Sequence, residues 1–403
     1  MNMAEGGTLA EADGLKGGLL PCRQGGSCAG WIMRLFVMAA IVSGLLAGGA
    51  WDAAAQSGAG GFDHVGLARQ MLEKYIRPGY ERFKSRTVIL QTTLDKVCRQ
   101  HDEAGRPAIK AAFRDVLVAW GRIEYLRMGP VVEADRDDRI VSWPDQLELG
   151  KRQLLTIIGK RDQAVLRLDG LRKKDVAVQG LTALEVLLFG KMSGDLLKDS
   201  GDGRFMCGYA RTIAANLSDM AQKIVAGWSD GGSFTAIWLK AGPQNTLYKS
   251  PSGQSNAILK AYSFGLGNLR EVKLLDPIKA MLTNRNNKHA KRLRPEFAAS
   301  GFAITMMIAN IEGILQMFDE GGLAERLAVD EPETADLVRG ELRAAIKKAR
   351  RLEKLGEKAF VDKTVSKKLI KIGLPLKTAL FAGGQALATE MGLVLGYTSD
   401  DGD

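Results

Sequence analysis

From about residue 62 onward, apolar side chains recur at helical spacing in nearly every long segment, and no stretch alternates apolar and polar residues as a half-buried strand would. That pattern predicts an all-α fold. The stretch 65–95 is amphipathic, with an interruption at Pro78-Gly79. The stretch 107–128 sets Ala108, Ala111, Ala112, Val116, Ala119 and Trp120 on one packed face and is expected to stop at Gly129-Pro130. A polar connection over 131–144 holds Trp143, and helices are expected at 145–168, 176–189 and 201–228. Residues 229–255 are rich in Gly, Ser and Pro, which suits a linker. Helical character resumes over 256–282, 295–318, 336–355 and 361–396. The expectation is two helical-bundle lobes, 62–228 and 256–403, joined by the loop-rich linker 229–255. With 403 residues and 46% apolar content, the chain can fill such cores.

The amino-terminal region has a different grammar. Met33-Arg34 precedes an apolar run over 35–50, and Ala53-Ala54-Ala55 follow before Gln56. A charged start, an apolar centre and a small-residue site make 33–55 a signal peptide, with 1–32 an upstream leader ahead of a start at Met33. The run is short for a membrane anchor and ends in Gly and Ala, so cleavage is expected. The mature chain is then an exported protein of the periplasm or cell envelope that does not span the membrane. Export places Cys98 and Cys207 in an oxidising compartment, where an even pair reads as a disulfide, two buried thiols being the alternative. Such a bridge closes a loop of about a hundred residues and stabilises by up to about 4–5 kcal/mol.

Other chemistry is excluded by what is sparse. His64, His101 and His289 lie far apart, so neither a zinc-finger spacing nor a Ser-His-Asp set arises. Lys and Arg exceed Asp and Glu by 56 to 46, but the excess is spread along the chain and aromatics are only 6%. The densest basic stretches, 288–294 and 347–358, lie in helical segments with acids nearby. They read as solvated faces, and no nucleic-acid partner is expected. The glycines of Phe264-Gly265-Leu266-Gly267 follow no strand, so they permit close helix approach rather than cradle phosphate.

Three motifs carry more information. The first is Ala119-Trp120-Gly121-Arg122-Ile123-Glu124-Tyr125-Leu126-Arg127-Met128-Gly129-Pro130, followed by Ile140-Val141-Ser142-Trp143-Pro144. The second is Gly180-Leu181-Thr182-Ala183-Leu184-Glu185-Val186-Leu187-Leu188-Phe189-Gly190. The third is Ile372-Gly373-Leu374-Pro375-Leu376 with Leu395-Gly396-Tyr397 and Asp401-Gly402-Asp403. In this order they resemble the imelysin-like family over about residues 65–403. Cys98 and Cys207 also sit where such proteins often carry cysteines. The resemblance implies an all-helical envelope protein of a family first described as metallopeptidases and often associated with iron.

The family hallmark is Gly-x-His-x-x-Glu on a buried helix. Here Gly180 and Glu185 are kept, but Thr182 stands at the histidine position. Residues three apart share a helix face, so a His and a Glu there would grip one cation; a hydroxyl is a poor substitute for imidazole. Glu185 alone does not make a catalytic zinc site, which leaves at most a weakly held divalent metal.

Glu185 still sits in a helix that is apolar nearly all round, so its carboxylate must be paired, hydrogen-bonded or protonated. Arg122 and Arg127 are the expected partners, either in a purely structural ion pair or beside a ligand. Tyr125 and Trp143 either line the same pocket or pack between helices. Three functional readings stay open. They are a non-catalytic binding protein related to ligand or metal acquisition, using Glu185, Thr182, Arg122, Tyr125 and Trp143 for a small ligand or an envelope protein; an imelysin-type metallopeptidase; and a structural interaction module of the envelope.

Overall fold

Asp63 starts the helical part of the chain: its carboxylate accepts the Gly66 N–H at 2.8 Å and caps α1 (His64–Gln70). The computed structural model describes residues 61–145, 148–283, 293–356 and 358–394. The expected leader, the signal peptide and the carboxyl-terminal part of the third motif lie outside the described residues. Helices make up the regular structure, and no strand occurs among the described residues. The elements that position the site are α2 (Arg77–Gln100), α3 (Arg106–Gly121), α4 (Leu149–Lys160), α5 (Leu181–Phe189), α6 (Gly201–Trp228), α7 (Ser233–Leu239), α8 (Pro251–Asn268), α9 (Asp276–Thr283), α10 (Ala303–Asp319) and α11 (Pro332–Arg350).

Pro78 does not break its helix as the sequence suggested. The chain runs from α1 into α2 through a π-helical turn, Met71–Ile76, in which the Arg77 N–H reaches back five residues to the Leu72 carbonyl. Proline has no N–H to give and its ring crowds the carbonyl four residues back, so the helix widens by one residue and continues. The same device recurs before Pro277: Leu269–Leu275 is π-helical, and the Asp276 N–H bonds to the Glu271 carbonyl. One turn aims Tyr75 inward and the other aims Lys273 inward, and both are buried.

Helix α3 ends at Gly121, well short of the expected stop at Gly129-Pro130. The reason is tertiary. Asn310 on α10 donates to the Gly121 carbonyl at 2.6 Å, and the Tyr75 hydroxyl donates to the Arg122 carbonyl, so these groups are satisfied without another helical turn. Gly313 lets α10 approach this closely, because a Cβ there would lie 2.2 Å from the Arg122 oxygen.

Residues 229–255 also differ from a free linker. They include α7, whose Trp238 is fully buried, donates to the Ala68 carbonyl at 2.9 Å and meets Trp228 and Tyr248 edge to face. Burial of that one indole contributes on the order of 2–3 kcal/mol. Helices from either side of this segment pack directly on each other, α3 on α10 among them. From Ala59 onward the contacts gather into one unit. Cys98 near the end of α2 and Cys207 on α6 form a disulfide, with Cα atoms 5.6 Å apart.

Candidate functional site

The second motif builds a cavity. Gly180 precedes α5 where a Cβ would strike the carbonyl oxygens of Arg139 and Ile140 at 2.2 and 2.3 Å, so only glycine admits the chain there. The helix that follows buries Leu181, Leu184, Leu187 and Leu188 in the core. Thr182, Glu185, Val186 and Phe189, spaced for one face, line instead a cavity of about 440 Å³. Trp143, Met206 and the 293–299 segment complete much of its wall.

Glu185 is 7% exposed. Its partner is neither Arg122 nor Arg127. The Ser300 N–H donates to Glu185 Oε1 at 2.8 Å, and the Ser300 hydroxyl lies 2.7 Å from the same oxygen. That hydroxyl is also 3.0 Å from the Phe297 carbonyl, and its single proton serves one acceptor at a time. Burial pushes the Glu185 carboxyl above the usual range, while the bonds from Ser300 and the charge of Arg294 pull the other way. Beside it, the Thr182 hydroxyl is buried and has no protein partner. The segment holding Ser300 is strained: Phe297 has φ = +53°, a conformation costly for a bulky residue.

Of the five residues singled out in the sequence, Thr182, Glu185 and Trp143 come together here. Arg122 and Tyr125 do not. Arg122 donates to Glu312 at 2.5 Å and lines a separate groove of about 730 Å³ between α10 and α11. Tyr125 is buried with its hydroxyl on that of Tyr75. Arg127 stacks over the Phe264 ring at 5.1 Å. The sequence placed both arginines near Glu185 because their motifs are both family motifs, but shared motif membership is not contact.

A second buried polar cluster backs the cavity wall. Lys273 pairs with Glu124 from the first motif and lies 2.8 Å from Glu296. All three are largely buried. Burial alone would push the Lys273 ammonium down, but the two carboxylates outweigh it and hold it above its ordinary value. One ammonium does not neutralise two carboxylates, and burial pushes Glu296 up to about 7. Glu296 belongs to the same segment as Ser300, so this cluster anchors the wall that also holds Glu185. Neither Lys273 nor Ser300 was foreseen: Lys273 meets Glu124, and Ser300 meets Glu185, more than a hundred residues away in sequence, and no spacing signals that.

The imelysin family model, of peptidase family M75, matches residues 76–378. The chain belongs to the imelysin family. Among solved structures it is similar to an imelysin-like protein from Psychrobacter arcticum 273-4, at 16% identity and a TM-score of 0.67, covering 83% of this chain and 97% of that one. It is also similar to a protein described as an iron-regulated protein A precursor from Parabacteroides distasonis ATCC 8503, at 15% identity and a TM-score of 0.68, covering 82% and 97%. No curated protein matches the chain. At such identities the likeness establishes the imelysin fold.

The donor set at positions 182 and 185 does not fit a metal centre of the family type. Thr182 supplies a hydroxyl in place of imidazole, and Glu185 Oε1 is already engaged by Ser300. Among the described residues no three His, Cys, Asp or Glu side chains converge as a cation would require.

Proposed function

We propose that this imelysin-family protein is an exported binding protein of the cell envelope. It takes a small organic ligand into the cavity beside α5 and performs no metal-dependent peptide hydrolysis. The observation that carries this reading is the face Thr182–Glu185–Val186–Phe189. Where a metal-binding pair is expected, it presents to a mainly apolar cavity a buried carboxylate and a buried hydroxyl that lacks a partner. A mainly apolar concavity with a few fixed polar groups is the usual form of a small-molecule site.

The likeness to an iron-regulated protein A precursor supports a role related to metal acquisition, and that protein's being a precursor agrees with the signal-like run at 33–55. N-terminal sequencing of the exported protein is expected to begin near Gln56. The test of binding is a small-molecule thermal-shift screen on wild type and on Val186→Trp, which fills the cavity. Ligands that stabilise wild type and not the variant support the reading. A stoichiometric, tightly held metal with chelator-sensitive proteolysis overturns it.

A further inference from the structure

The cavity joins a buried acid to a rim of mixed charge. Glu185 is buried, and so is the partnerless hydroxyl of Thr182. The more exposed lining holds Asp145, Glu148, Lys151, Lys191 and Arg294, and Trp143, Val186 and Phe189 give the walls an aromatic and aliphatic part. Both bonds from Ser300 end on Glu185 Oε1, the Ala299 backbone also bonds to this carboxylate, and the positive charge acting on it comes from the exposed Arg294. A buried carboxylate gains from a cation brought into direct contact, and a threonine hydroxyl accepts as well as donates.

We infer that the ligand of this cavity is a small organic cation, a primary ammonium on an apolar or aromatic body, whose ammonium is received by Glu185 and Thr182 while its body lies against Trp143 and Phe189. The inference rests on the cavity-binding reading above and deepens it. An ammonium has three donors in a compact head, matching one carboxylate oxygen and one hydroxyl oxygen one helical turn apart. A carboxylate ligand would meet Glu185 as a like charge. A neutral hydroxyl would hydrogen-bond but bring no charge to add to that of Arg294.

The sign of the pH dependence follows. Glu185 receives a cation only when ionised, so amine affinity rises with pH as the carboxyl loses its proton. The charged groups acting on it are Arg294, which favours ionisation, and Glu296, which opposes it. At the cavity wall stand Asp145, the pair Glu148–Lys151, and Lys191.

The experiment compares three probes of one shape on the purified protein: 2-phenylethylamine, 2-phenylethanol and phenylacetate, by calorimetry and by the change in Trp143 fluorescence against a Trp143→Phe control. The amine is expected to bind on the order of tenfold or more tightly than the alcohol, the effect of one charge-assisted bond. Its affinity should rise with pH, in the direction a burial-raised carboxyl requires. Glu185→Gln should remove the amine's advantage and leave the alcohol's affinity unchanged. Glu296→Gln should keep the rise with pH, which assigns it to Glu185. If Glu185→Gln fails to fold, the wild-type pH series decides: amine affinity flat or falling with pH overturns the inference. Alcohol or phenylacetate binding as tightly as the amine also overturns it, while the cavity-binding reading stands. No cavity-dependent signal from any of the three overturns both.

Discussion

The first and second family motifs are both buried, and the fold uses them in opposite ways. In the first, the polar atoms that matter to the backbone turn are consumed by protein partners. Asn310 takes the Gly121 carbonyl, Tyr75 takes the Arg122 carbonyl, and Glu124 takes Lys273. In the second, Ser300 and the Ala299 backbone engage Glu185, while the Thr182 hydroxyl is left without a partner beside a cavity. The difference teaches that motif identity does not separate structure from function. The place of the unpartnered polar atoms does: the first motif leaves Trp120 Nε1 and Arg122 Nε without a bond, but only the Thr182 hydroxyl of the second shares a cavity lining with a buried carboxylate.

The largest effect should come from what ties the helices behind the two motifs together. Helix α2 packs behind the first, with Gly79 under Ile123, and α6 behind the second; the Cys98–Cys207 bridge links them across a separation of 109 residues. The double replacement Cys98→Ser, Cys207→Ser is expected to lower unfolding free energy by about 4–5 kcal/mol, since the closed loop is long. Denaturant melts with and without reductant measure it. Loss confined to the double variant and absent on reduction of wild type would show that the bridge is not formed.

Next is the buried cluster that takes up Glu124. Lys273→Met strands two buried carboxylates and should cost about 3–5 kcal/mol. Adding Glu124→Gln and Glu296→Gln to that variant should recover part of the loss, because the stranded charges are then gone. A single variant as stable as wild type would show that the first motif is not a packing hub.

The same cluster sets a pH signature. The Glu296 carboxyl is pushed up to about 7 by burial, above its unfolded value of 4.5. The folded state therefore holds more protons than the unfolded one between those values, and this group's contribution to stability falls as pH rises through that window. Each unit of difference is worth about 1.4 kcal/mol. Stability measured across the window should fall less steeply in Glu296→Gln than in wild type. Parallel profiles would place the titration elsewhere.

How much of this was legible in the sequence divides along the same line. The helical period gave the fold class because burial of one face writes itself into local spacing. The cysteine pair was legible from its even count behind an export signal, and the face shared by Thr182 and Glu185 because both lie on one short helix. The end of α3, the helical segment Ser233–Leu239 in the expected linker, and the partner of Glu185 were not. Each depends on a residue from a distant segment: Asn310, Ala68 and Ser300. Nothing in local spacing records that an α10 side chain will end α3, or that a serine 115 positions away will hold a glutamate.

The smallest prediction tests the comparison most directly, because it asks for opposite signs from two matched changes. Tyr75→Phe removes a hydroxyl that is bonded to the first motif, and the Arg122 carbonyl then loses a donor. That should cost about 1 kcal/mol. Thr182→Val removes a buried hydroxyl that has no partner, and valine fills nearly the same volume. The folded state no longer carries an unsatisfied polar atom, so stability should stay level or rise by up to about 1 kcal/mol. Denaturant midpoints of the two variants, with unchanged slopes, give both numbers on one scale. If Thr182→Val loses as much as Tyr75→Phe, the hydroxyl has a partner in solution and is not kept open for a ligand. If it gains while amine affinity at the cavity falls, then the fold tolerates an unsatisfied group there because a ligand uses it.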